Sequence, residues 1–197
     1  MTTRPDLLPY TGHADADRLL ASDPLALLIG FELDQQVPLQ KAFSGPWEIR
    51  SRLGHLDAGR IAATDPGELD RVFRERPAIH RFPGAMAAKV QALCAHVAER
   101  YGGEADRIWR DAADGRELRD RLMALPGFGE MKVRTVLALL AKQFGVDLPG
   151  LAALLPDHPT LGEADSYEKV AEYQAAKRAY KATLRAEGRT FDPKGGR

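Results

Sequence analysis

Apolar residues recur along the chain at helical spacing, and no stretch of useful length alternates as a half-buried strand would. The clearest stripe lies in AMAAKVQALCAHVAERYGG. There Val90, Leu93, Cys94 and Val97 fall at i, i+3, i+4 and i+7 and share one helix face. Gly102-Gly103 marks its end. Asp23-Pro24 opens LALLIGFELDQQ, and Asp65-Pro66 opens GELDRVFRE. Asp is a favoured N-cap, and Pro is tolerated in the first helical turn. Gly45-Pro46 predicts a break, with a new helix starting at WEIRSRL. RIWRDA and GRELRDRLMAL read as short helices. VDLPGLAALLPDHPTLGEA is rich in Pro and Gly and reads as a long loop. SYEKVAEYQAAKRAYKATLRAEG reads as a final long helix, and the residues after Gly188 are expected to fray. No repeat of about 20–50 residues is present. The pattern therefore predicts an all-α fold of many short helices rather than an up-down bundle.

One segment, LPGFGEMKVRTVLALLAKQFGV, puts two glycines at the mouth of a helix. Gly127 and Gly129 lack a Cβ and let the chain pass close to a partner. The first amides of the following helix have no intrahelical acceptor and attract anions, phosphate among them. The plain alternative is a tight helix–helix connection with glycines at its corners.

Composition narrows the classes. The chain has 197 residues, enough for one core or two small lobes. Its 44% hydrophobic and 28% charged content is that of a soluble globular protein. No apolar run approaches the ~20 residues of a membrane span, and MTTRPDLLPY lacks the apolar stretch of a signal peptide. A cytoplasmic location is expected, nucleoid-associated in a bacterial cell. Cys94 is the only cysteine, so no internal disulfide and no cysteine metal cluster can form. Formal net charge is zero, from 28 basic and 28 acidic residues, which argues against a uniformly basic coat but not against a local patch. Acidic residues gather early, as in ADAD and ATDPGELD, and the tail is basic. His55, His80, His96 and His158 show no metal-ligand spacing, and no nucleotide loop or nucleophile elbow is present.

Four stretches, in order, resemble one family. LPGFGEMKVRT resembles the helix-hairpin-helix element, L-P-G-V-G-x-K/S, of the base-excision DNA glycosylases related to endonuclease III. LLIGFELDQQVPLQKAF resembles the family's helix with an S/L-Q-Q-T segment, AIHRFPGAMAAKVQALCAHVAERYGGE its G-(F/Y)-x-x-K-A helix, and LRDRLMALPGFG the approach to the hairpin. The likeness covers residues 24–146. It implies two helical lobes with a cleft between them: residues 24–140, with the hairpin at 117–144, and a second lobe from 1–23 plus 141–197. It implies a partner, duplex DNA containing a damaged base, with no membrane and the chain acting as a monomer. The turn Gly127-Phe128-Gly129 and the amides after it would hold phosphates, with Lys132 and Arg134 adding charge. A structural sodium or potassium ion on the hairpin carbonyls is implied, and no other cofactor. The cluster-binding cysteines of many relatives are missing, so no iron–sulfur cluster is expected.

The resemblance also implies roles at the chemistry. Gln36, with Gln35 second, would enter the duplex where the damaged base leaves. The alternative is that both amides cap a helix end. Trp47 is a candidate for stacking on a base, though a lone Trp usually belongs to a core. Bifunctional relatives carry a lysine nucleophile where this chain has Met131; Lys132 comes one residue later, about 100° further round the helix. The expected activity is therefore that of a monofunctional glycosylase without lyase activity. The family's catalytic aspartate aligns directly with Ala152 or Ala153. If VDLPGLAALLPDHPTLG is an insertion, the aspartate becomes Asp165, with Asp157 as the alternative and Glu32 or Asp34 behind them. Asp165-Ser-Tyr-Glu168 also reads as a capping box, which needs no catalysis. Two other readings stay open: a catalytically inactive damage-recognition module, and a helical protein-interaction adaptor.

Overall fold

The computed structural model describes residues 4–187. Among these residues every regular element is a helix. In chain order they are α1 (Ala14–Ser22), α2 (Pro24–Leu33), α3 (Leu39–Leu53), α4 (Ala58–Ala63), α5 (Pro66–Arg74), α6 (Pro83–Tyr101), α7 (Arg107–Arg110), α8 (Gly115–Met123), α9 (Glu130–Gln143) and α10 (Tyr167–Ala186). Aspartates start several of them, Asp23 and Asp65 as expected and Asp57 and Asp114 in addition. The Asp23 side chain accepts from the Leu25 and Ala26 amides, and Asp57, Asp65 and Asp114 accept from the amide three residues on. The stripe on α6 is buried at all four positions, and Gly102, in a left-handed conformation, closes that helix.

Helix α2 is the centre of the molecule. Every residue from Leu25 to Leu33 is buried, and α1, α3 and α6 pack against it. The buried apolar residues form one contiguous cluster that reaches from Leu8 to Val170, so both ends of the chain share it. Residues 8–17 join the two ends. Tyr10 Oη donates to the Leu161 carbonyl at 3.0 Å, and the buried Asp17 carboxylate accepts from Tyr167 Oη at 2.7 Å. None of the described helices is long and apolar enough to cross a membrane.

Three local expectations are corrected. Gly45-Pro46 does not break the chain, for α3 runs through it. Pro46 removes one N–H, but the helix is pinned to α2: a Cβ on Gly45 would lie 2.2 Å from Leu33 Cδ1, and Phe43 sits edge-on to Phe31. Residues 147–164 are not one open loop. They contain 3-10 turns at Ala152–Leu154 and Leu161–Glu163, the second closed by a Thr160–Glu163 capping box and packed on α9. Finally, α10 is capped by Ser166, whose Oγ accepts from the Lys169 amide at 3.2 Å. Asp165 lies one residue outside and pairs with Lys169 Nζ, so the Asp165–Glu168 capping box does not form. The expected fraying after Gly188 falls outside the described residues.

Candidate nucleic-acid interface

The hairpin joins α8 to α9 through a turn whose parts face opposite ways. Gly127 has φ +79, and a Cβ there would stand 2.1 Å from Glu32 Oε2. Its glycine is thus required twice, by conformation and by space. Gly129 is the N-cap of α9 with φ −101, has no side-chain cap, and would meet nothing within 4 Å if it carried a Cβ. The first amides of α9 thus have neither an intrahelical acceptor nor a side-chain cap. Phe128 lies between them with its ring buried and its amide donated to the Leu125 carbonyl at 3.1 Å. Only its backbone can face a ligand.

Lys132 turns inward. Its Nζ donates to Glu32 Oε2 at 2.9 Å and to the Gly127 carbonyl at 2.8 Å, and lies 4.7 Å from the centre of the Phe128 ring. Burial lowers its pKa, against the pull of Glu32 that raises it. Its charge is committed inside the protein rather than offered to a phosphate. Glu32 is the one charge in an otherwise apolar helix and is fully buried, so a partner is obligatory. The two residues are 100 positions apart. Glu32 standing inside LALLIGFEL is the only signal of this pair that the sequence carries.

Gln35 belongs to the same network. Its Nε2 donates to the Glu32 carbonyl at 2.7 Å and to Glu32 Oε1 at 3.0 Å, and its Oε1 accepts from Lys89 Nζ at 2.7 Å. The buried His80 ring bridges outward. Nδ1 accepts from the Phe82 amide at 3.0 Å, which leaves Nε2–H to donate to the Gln35 carbonyl at 2.9 Å. Burial lowers the His80 pKa, against the backbone hydrogen bonds that raise it. Gln36 differs in every respect. It is exposed and is the only non-glycine residue with positive φ, +57, among those described. Such a conformation is uncommon outside glycine and is worth a functional question. Trp47 is partly buried against the core, with its ring tilted against that of His13 at a centroid distance of 5.7 Å.

Arg134 is exposed at the first turns of α9 and pairs with Glu130 at 3.1 Å; Arg119 of α8 holds the same carboxylate at 2.7 Å and keeps it well ionised. Arg119 lies in the LRDRLMALPGFG stretch, but the sequence does not single it out as a site residue. These three residues line a cleft of about 490 Å³ with Leu154, Leu155 and Asp157. Asp157 is thus at the hairpin end of α9, fully exposed, with His158 holding its carboxyl below the usual range. Asp165 is elsewhere. The turn before it packs on the far half of α9: Gln143 Nε2 donates to the Ala164 carbonyl at 3.2 Å, and Lys142 pairs with Glu163. The 14 residues of α9 span about 20 Å, so Asp165 stands well away from the glycine turn. Its carboxyl, exposed, is held low by Lys169. Asp34 caps α2 and acts electrostatically on Lys132.

No protein-family model, curated protein or solved structure matches the chain. What this corner of the molecule can do therefore follows from its own geometry. The fold brings Gln35, Gln36, Gly127, Phe128, Gly129 and Lys132 together there, adds Arg134 and Asp157 along α9, and leaves Asp165 apart. No group of three or more His, Cys, Asp or Glu suited to a metal occurs among the described residues.

The two glycines should separate on mutation. Gly127→Ala, with both clash and strain, should cost about 2 kcal/mol or more of stability, whereas Gly129→Ala should cost well under that, as the loss of a permissive N-cap. Urea unfolding of both variants checks this. His80 gives a second expectation. Its folded pKa lies below the ordinary value of about 6.5, so the unfolded chain takes up the proton first and the His80 contribution fades as pH falls below that value. The stability gap between wild type and His80→Gln should narrow from pH 7 to pH 5.5; a gap independent of pH would refute the neutral bridging ring.

Proposed function

We propose that this chain is a monofunctional DNA glycosylase of the helix-hairpin-helix class that excises a damaged base from duplex DNA in base excision repair. The observation that carries the reading is the juxtaposition of Gln36 with the hairpin. An exposed amide in a strained turn is fastened, through Glu32 and Lys132, beside a helix end whose first amides have no side-chain cap. The amides of residues 129–131 would hold one strand's phosphates, with Arg134 beside them. Gln36 would fill the space left by the extruded nucleotide. An amide suits that role because it both donates and accepts. Extrusion costs a few kcal/mol, least for a weakly paired base.

Base release breaks the N-glycosidic bond. The base leaves with the bonding pair and takes a proton, and water delivers hydroxide to C1′. The sugar passes through a cationic state that a carboxylate stabilises. Asp157 lies along the hairpin cleft and Asp165 does not, so the geometry favours Asp157 over Asp165 for that role. With Met131 in the nucleophile position and Lys132 paired inside, no amine is assigned to strand cleavage. A sodium or potassium ion on the hairpin belongs to the same proposal. The Gly127 carbonyl already accepts from Lys132, so other carbonyls would hold the ion. The protein would act as a monomer in the cytoplasm.

A second reading, a catalytically inactive damage-recognition module, is favoured by the full solvent exposure of Asp157 and by the distance of Asp165. One experiment separates the two. Duplexes containing uracil, alkylated purines, hypoxanthine or oxidised guanine are incubated with wild type, Asp157→Asn and Asp165→Asn. The glycosylase reading expects at least one lesion to be released, leaving a strand that breaks only on alkali or heat. Asp157→Asn should lose most of that release and Asp165→Asn should keep it. Salt-sensitive binding with no release from any duplex supports the recognition module instead.

A further inference from the structure

We infer that the buried Glu32–Lys132 pair is a positioning device that sets the Gln35–Gln36 turn at a fixed place relative to the Gly127–Gly129 hairpin, so that a duplex held by the hairpin meets Gln36 in register. The inference rests on the DNA-binding reading and deepens it. The pair is not a general filler of the core. The two carboxylate oxygens have different partners. Oε1 accepts from the Gln35 side-chain amide, and Oε2 accepts from Lys132. Lys132 continues the tie to the Gly127 carbonyl, and the carboxylate occupies the space that a Cβ on Gly127 would need. On its other side Gln35 is held by Lys89 from α6 and by His80. The side chain of Gln35 is thus used up, and the chain reverses beyond it into the left-handed conformation that throws Gln36 outward. A strained conformation of this kind persists only where its surroundings over-determine it.

Physical chemistry says why the pair need not exist for stability. Burying two charges costs more than a close-packed apolar pair of similar size, and such replacements often fold as well or better. What directional bonds supply and apolar contacts do not is one geometry. Lys132 therefore acts through Gln35 and Gly127 and contacts no phosphate, and neither partner is assigned to the chemistry.

The test is the double variant Glu32→Leu/Lys132→Met, which removes both charges together and so leaves no unpaired one. The probes are a plain duplex and the same duplex with one tetrahydrofuran abasic analogue. The double variant should stay folded and bind plain duplex within about threefold of wild type, since the phosphate contacts remain. Its preference for the abasic duplex should fall about tenfold. Gln36→Ala should cost wild type that same preference and cost the double variant almost nothing more. Unchanged preference in the double variant, with Gln36→Ala costing the same in both backgrounds, overturns the inference. Backbone NMR order parameters give an arm that needs no DNA. Order at residues 35–37 and 127–129 should fall together in the double variant, and unchanged order at either segment overturns the inference. If wild type binds neither duplex, the DNA reading fails on its own, while the order parameters still decide whether the pair joins the two segments.

Discussion

A carboxylate with no access to water must be answered by hydrogen-bonding partners, and Glu32 is that constraint in this fold. It sits in the most apolar helix of the chain, at the centre of the packing. Removing either partner of a buried pair typically costs about 3–5 kcal/mol, because the other is left charged and unpaired. To answer Glu32 the molecule brings in Lys132 from a helix 100 residues away, and with it the hairpin turn. Gly127 is glycine because the carboxylate lies beneath it. Gln35 faces inward because the second oxygen needs a donor. Gln36 is left exposed as a consequence.

The same constraint divides two pairs of residues that look equivalent in the chain. Gly127 and Gly129 are two positions apart and both exposed, yet a Cβ on the first would run into Glu32 and a Cβ on the second would meet nothing. Gln35 and Gln36 are adjacent, yet one is tied to Glu32, His80 and Lys89 and the other is exposed. The proposed phosphate-binding surface would gain from this arrangement. It needs bare, rigid amides, and rigidity comes from anchoring the neighbouring residue rather than the contact residue itself.

Much of the fold was legible because its signals are local. Aspartate caps, the apolar stripe of α6 and the glycine turn each act within a few residues. Gly45-Pro46 misled, since local propensity marks a break and tertiary packing of Phe43 and Leu33 outweighs it. Asp165 misled in a similar way: a plausible D-x-x-E spacing lost to Ser166, which stood one residue closer to the helix. The direction of Lys132 was legible only as a departure from the position of Met131. Its target was not, because a single glutamate in an apolar run announces a need for a partner without naming it. Arg119 and the placement of Asp157 beside it depend on how a Pro-rich segment folds back, for which the sequence has no periodic signal.

In the proposed function, one corner of the molecule holds a DNA strand and probes it at the same time. A crystal structure of the chain on a short duplex with one tetrahydrofuran site decides whether it does. Phosphate oxygens are expected within hydrogen-bonding distance of the amides of residues 129–131, with the Gln36 side chain in the gap opposite the missing base and Lys132 still on Glu32. DNA seated on another face, with the glycine turn in solvent and Gln36 touching nothing, would rule the proposal out.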